Sequence, residues 1–151
     1  MRGVTQKNYD AYRKTLNQPR ADVRGITDAE VQDFYFTRYW RPAGCAVLTA
    51  CGADRLALLH FDAAVNHGVG RAVIFLQLEL AATPDGVFGP LTEAALRRSL
   101  ENPDGEDELI DGYLLRRMAF YHRIVQTNPS QAVFARGWSR RMERVRAHII
   151  R

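Results

Sequence analysis

Residues 71–80, RAVIFLQLEL, admit two readings, and the choice between them sets the architecture. Phe75 to Leu80 alternates apolar and polar side chains, as a half-buried strand does. The whole run is instead apolar on nearly every side of a helix, which suits a central buried helix. The segments on both sides carry helical spacing and no convincing strand alternation, so the helix is the reading adopted. Upstream, Asp54 starts a run in which Leu58, Phe61, Ala64 and Val65 recur at helical spacing as far as a break at Gly68 and Gly70. Downstream, Thr83–Pro84–Asp85–Gly86 marks a turn, and Pro90 suits the first position of a short helix.

The rest of the chain reads in the same way. Thr5 is a candidate N-cap for a helix to Leu16 that presents Tyr9, Tyr12 and Leu16 on one side. Asn17, Pro19 and Gly25 mark a loop. Thr27 and Glu30 form a capping box before Val31, Tyr35 and Tyr39, and Arg41–Pro42 and Gly44 end that helix. After a polar loop at 102–107, a long helix aligns Ile110, Leu114, Tyr121 and Val125. Past Asn128–Pro129–Ser130, a last helix aligns Phe134, Trp138, Met142, Val145 and Ile149. Two narrow apolar stripes of this kind predict that the last two helices pair with each other. The expectation is a compact all-α domain of five to seven helices, with no dividing linker and no repeat.

Composition bounds the function. The chain has 151 residues, 46% hydrophobic and 25% charged, the balance of a globular domain. No apolar run approaches the length that spans a bilayer, so membrane insertion is not expected. The net charge is +4, and all basic residues but Lys7 and Lys14 are arginine. Arg136, Arg140, Arg141, Arg144, Arg146 and Arg151 face only Glu143, a surplus that steers towards polyanions or forms a solvated helix face. Cys45 and Cys51 are too few for a disulfide framework. With His60 and His67 they match no common zinc spacing, so buried thiols are the simpler reading, and no metal or cofactor is inferred.

Three strings concentrate polar chemistry. DGVFGPLT at 85–92 is a rigid turn entering a helix. FDAAVNHG at 61–68 puts Asp62 and Asn66 four residues apart on one face. That pair suits either the hydroxyl and acetamido groups of a sugar or the capping of neighbouring helices. RGVTQKNYDAY at 2–12 and YWRPAGC at 39–45 contribute Tyr9, Tyr12, Tyr39 and Trp40, aromatic faces that serve a core or a sugar platform. Asp10, Asp22, Asp28, Glu30, Asp54, Asp62 and Asp85 are the carboxylates available for acid–base work. Glu30, Asp54 and Asp85 are explained by a cap, a helix start and a turn. Asp62, in apolar surroundings, is the candidate for a perturbed pKa.

Taken in order, these strings resemble glycoside hydrolase family 108, the N-acetylmuramidases. Gly3–Tyr12 is similar to the family's G-[IV]-T-Q-x-x-Y-D-A-[YW] stretch, Tyr39–Cys45 to Y-W-x-P-A-G-C, and Phe61–Gly68 to F-D-x-A-V-N-x-G. Asp85–Thr92 resembles the D-G-x-x-G-P-x-T turn of peptidoglycan-binding modules, preceded by a variant of L-Q-x-x-L at Phe75–Leu80. Phe120–Tyr121 and Gly137–Trp138 resemble the family's F-Y and G-W pairs near the end. The resemblance implies a lysozyme-like fold, with residues 1–55 from the catalytic part and 56–151 the predicted peptidoglycan-binding part, packed as one unit. It implies cleavage of the N-acetylmuramic acid to N-acetylglucosamine linkage, with glycan strands of peptidoglycan as partner. Thr5, Tyr9, Tyr39, Trp40, Asp62 and Asn66 are the expected substrate contacts.

The family's general acid lies in a Glu-Gly-Gly motif ahead of the first stretch, and these 151 residues contain none. The expectation is that Met1 is an internal methionine taken as a start, or that the gene is truncated. Asp62 is then the weak remaining catalytic candidate, better suited to orienting substrate or water. Loss of a general acid costs roughly 10²–10⁴-fold, so little hydrolysis is expected of this polypeptide. The beginning of the chain lacks a signal-peptide pattern. Synthesis in the cytoplasm and action at the wall or periplasm, through a holin, lysis or a dedicated secretion route, are expected. Two other readings stand beside hydrolysis: a wall-binding module that does not cut, and a basic nucleic-acid binder resting on charge alone, without a helix-turn-helix signal. The sequence sets no oligomeric state.

Overall fold

The computed structural model describes residues 3–150; Met1, Arg2 and Arg151 of the segments above lie outside it. Eight α-helices form among the described residues, one more than the upper expectation: α1 (Gln6–Thr15), α2 (Asp28–Tyr35), α3 (Cys45–Ala50), α4 (Asp54–His67), α5 (Val69–Glu79), α6 (Pro90–Ser99), α7 (Gly105–Thr127) and α8 (Ala135–Ile149). The architecture is all-α, with no strand among the described residues. Two 3₁₀ turns, Val23–Gly25 and Pro129–Phe134, and one π turn, Phe36–Trp40, complete it. The chain divides into two compact units, Met1–Arg38 and Tyr39–Arg151.

In the first unit, the Thr5 hydroxyl caps α1 by accepting from the Asn8 amide. Thr27 and Glu30 close the capping box of α2. Tyr9 and Tyr12 are buried, and Tyr12 meets buried Phe34 edge-on at 5.8 Å. Their hydroxyls donate across to the other helix, Tyr9 to Glu30 at 2.8 Å and Tyr12 to Asp33 at 2.7 Å. The helical spacing of the tyrosines thus builds a small core with polar ends.

The second unit is organised around α4 and α5, which pack on each other, both also against α7. RAVIFLQLEL is helical, and it buries Ala72, Val73, Phe75, Leu76 and Gln77. Its alternation misleads because two of its polar residues are engaged in the fold. Glu79 forms an ion pair with Arg116, and Gln77 is a buried hydrogen-bonding hub. The additional helix, α3, holds Cys45 and Leu48 in the core. Gly44 before it has φ +76°, and a Cβ there would lie 2.3 Å from the Phe88 ring, so only glycine fits. At the start of α4, Glu106 of α7 accepts from the Arg55 and Leu56 amides and pairs with the Arg55 guanidinium. A carboxylate at a helix N-terminus is favoured by the exposed amides there.

Phe134, expected within the last helix, lies in the turn ahead of α8, with its ring 6.2 Å from Trp138. Met142 and Ile149 face the core from α8 as the stripe required.

Candidate functional site

The C-terminal half of α4 carries the FDAAVNHG string, and its polar residues have different tasks. Asp62 is 13% exposed, and both its oxygens are engaged. Arg117 of α7, fully buried, donates to Oδ2 at 2.8 Å, and Arg141 of α8 donates to Oδ1 at 2.9 Å. One carboxylate therefore ties α4 to the two long helices. The Nε and Nη1 of Arg117 have no partner among the described residues, so Asp62 is the counter-charge of a guanidinium taken wholly out of water. Asn66 is exposed, and its side-chain amide donates to the Asp62 backbone carbonyl at 2.6 Å.

Between α7 and α8 lies a groove of about 750 Å³. Leu115, Met118, Tyr121, Trp138 and Met142 supply its apolar wall, and Arg146 stands on its lining. Tyr121 and Trp138 stack at 4.7 Å between centroids, 17° from parallel, and form a continuous aromatic surface. Behind it His67, the residue after Asn66, meets Tyr121 at 5.0 Å and Phe120 at 5.3 Å. Neither Asp62 nor Asn66 is among the residues that line the groove; α4 reaches the aromatic stack through His67. Asp62 fixes the two helices that enclose the groove.

Other expected site residues are placed as follows. Thr5 and Tyr9 belong to the first unit, where Thr5 is the α1 cap and the Tyr9 hydroxyl is held between Arg13 and Glu30. Tyr39 and Trp40 belong to the second and pack part-buried against its core, Trp40 edge-on to Phe61 at 5.4 Å. A general acid needs a raised pKa. Arg20 and Gln6 pull Asp10 down, Arg24 pulls Asp22 down to about 2, the Thr27 amide and Tyr9 lower Glu30, and the Val87 amide and Gln77 lower Asp85. All four are displaced in the wrong direction for proton donation.

Sequence spacing gives His60 no role, because its partners are distant in the chain. His60 is fully buried, with Nε2 3.0 Å from the Ala43 carbonyl and Nδ1 2.8 Å from the Tyr113 hydroxyl. Burial holds its pKa down to about 4, so the neutral ring donates from Nε2 to Ala43 and accepts from Tyr113 at Nδ1. Burial raises the Cys45 thiol to about 12, which suits a packed side chain. Among the described residues no three His, Cys, Asp or Glu side chains converge as metal ligands.

The 85–92 turn has a clear physical basis. Gln77, 1% exposed, accepts from the Gly86 amide at 2.9 Å. Its Nε2 lies 2.7 Å from Asp85 Oδ1, 3.0 Å from the Val87 carbonyl and 3.0 Å from the Thr92 hydroxyl. Gly86 takes φ +77° and closes on Gly70. The separated Gln and D-G-x-x-G-P-x-T residues are one hydrogen-bonded clip between α5 and α6.

Residues 1–68 match the family model described as Glycosyl hydrolase 108, and residues 71–143 match the one described as Predicted Peptidoglycan domain. These two matched segments support a peptidoglycan-directed muramidase or binding role. Among solved structures, SagA from Brucella abortus is similar at 26% identity and a TM-score of 0.69, over 98% of this chain and 77% of that one. No curated protein matches. The groove-forming residues Met118, Tyr121, Trp138 and Met142 all fall inside the predicted peptidoglycan segment.

Proposed function

We propose that the α7–α8 groove holds a glycan strand of peptidoglycan, in the service of muramidase-type cleavage between N-acetylmuramic acid and N-acetylglucosamine. The observation that carries this is the stacked Tyr121–Trp138 surface lining an apolar groove within the predicted peptidoglycan segment. Sugar rings present apolar C–H faces to such a surface, while a few polar groups at the rim fix orientation. Asp62 acts as the clamp that holds α7 and α8 at the right separation. The proton donor for cleavage is none of Asp10, Asp22, Glu30, Asp62 and Asp85, because four are held below the ordinary range and both Asp62 oxygens are occupied.

Co-sedimentation with purified sacculi tests binding, and turbidity of the same suspension tests cutting. The chain is expected to sediment with the sacculi, and Trp138→Ala to weaken binding by about tenfold or more, as loss of a central aromatic anchor does. Turbidity is expected to stay constant. Undiminished binding by Trp138→Ala would remove the groove from the proposal, and falling turbidity would show that another carboxylate of this chain donates the proton, with Asp111 and Glu143 on the groove lining the first to substitute.

A further inference from the structure

The outer face of α8 carries charge that the fold does not use. This helix holds five arginines against one glutamate, a surplus of +4 that equals the formal charge of the whole chain. Arg141 is committed to Asp62. Arg136, Arg140, Arg144 and Arg146 are exposed and have no ion-pair partner among the described residues. Three of them, Arg136, Arg140 and Arg144, recur every fourth residue and so form one stripe, with about 6 Å of helix rise between neighbours. Met142 and Ile149 are buried on the other side of the helix, so the stripe points away from the core. Folding gains little from unpaired like charges placed one turn apart, which repel each other.

Apolar side chains stand at both ends of this stripe. Val133 is 77% exposed and Phe134 53% exposed in the turn that leads straight into α8, and Ile150 is 44% exposed just after it. A polynucleotide backbone offers nothing to such residues. The boundary between lipid headgroups and acyl chains accommodates them while the arginines meet phosphates. No helix among the described residues is long and apolar enough to cross a membrane, so the contact is peripheral.

We infer that the Arg136–Arg140–Arg144 face of α8, with Val133 at its leading end, docks on an anionic lipid surface. The interaction is electrostatic and independent of the α7–α8 groove. It lets the protein sit on a phosphate-bearing leaflet while the groove remains available on another side of the same helix.

The test is co-sedimentation of the full chain with vesicles of equal parts phosphatidylglycerol and phosphatidylcholine, against vesicles of phosphatidylcholine alone. Binding is expected only to the anionic vesicles and should weaken as salt screens the charges. Each arginine at such a surface contributes about fivefold, so Arg136→Gln, Arg140→Gln and Arg144→Gln together should reduce partitioning by about a hundredfold. Glutamine keeps helix propensity, and an unchanged Tm with unchanged sacculus binding shows that the fold and the groove survive. Val133→Ser should lower vesicle binding severalfold and leave any binding to duplex DNA unaltered. Equal binding to both vesicle types, anionic binding that survives the triple substitution, or tighter binding to duplex DNA than to anionic vesicles at matched salt would each overturn the inference.

Discussion

Asp62→Asn separates a clamp from a substrate contact, because the structure predicts a stability loss of calculable size. The carboxylate is shared unequally. Its contact with Arg141 is made by a side chain 44% exposed, so that half is screened by solvent and contributes about 0–1 kcal/mol. Its contact with Arg117 lies on a side chain with no exposure, whose Nε and Nη1 already lack partners. Removing the Asp62 charge leaves that guanidinium buried without a counter-charge, at a cost of about 3–5 kcal/mol. In a chain of this length each kcal/mol moves Tm by roughly 2–4 °C, so Asp62→Asn should lower it by roughly 6–20 °C. Thermal unfolding followed by circular dichroism, with urea midpoints at constant m-value, measures the loss. Asp62→Leu combined with Arg117→Met should recover most of it, since a buried ion pair replaced by apolar side chains is often neutral. An Asp62→Asn chain with unchanged Tm that no longer binds sacculi would refute the clamp and return this carboxylate to the substrate.

His60 gives the stability a defined pH dependence. Its folded pKa is held to about 4 against about 6.5 in the unfolded chain, so the unfolded state takes up the proton first as pH falls. The resulting stability is present above pH 6.5 and lost on the way down to pH 4, to the extent of about 3 kcal/mol. Urea unfolding across that interval should show the loss, and His60→Gln should reduce its slope while His67, also held down to about 4 by burial, keeps its own share; identical slopes in both chains would show that His60 is not a buried neutral group. Gln77→Met keeps the volume but leaves the Gly86 amide without its acceptor, at about 1–3 kcal/mol. Hydrogen exchange at Gly86 should accelerate, and full protection there would contradict the clip between α5 and α6.

Helices were legible where punctuation and period agreed. The Thr27–Glu30 box, the Gly68 break and Pro90 mark real ends, because each meets a local backbone need that does not depend on distant packing. The short helix α3 escaped because six residues contain too few turns to show a period. At 75–80 the pattern resembled a strand because polar residues occupy helix positions for reasons of tertiary structure: Gln77 serves the 85–92 turn and Glu79 serves Arg116.

The candidate site was only half legible. Asp62 and Asn66 do share the expected face. The partners of Asp62 lie 55 and 79 residues further along, on two other helices, and spacing within one helix cannot reveal them. One signal was present. Arg117 follows Leu114 by three residues on the core-facing stripe of α7, and a charge on such a stripe requires a buried carboxylate. The pairing of the last two stripes was foreseen, but the groove between them depends on the Tyr121–Trp138 stack, which only the folded chain assembles.

The most direct trial of the groove is a titration of the isotopically labelled chain with soluble peptidoglycan glycan fragments, followed by nuclear magnetic resonance. The Trp138 indole and the amides of Met118 and Tyr121 should shift together and saturate at one affinity. Saturable shifts confined to Thr5 and Tyr9, or to Trp40 and Asn66, with the Trp138 indole unmoved, would contradict the placement of the glycan strand between α7 and α8.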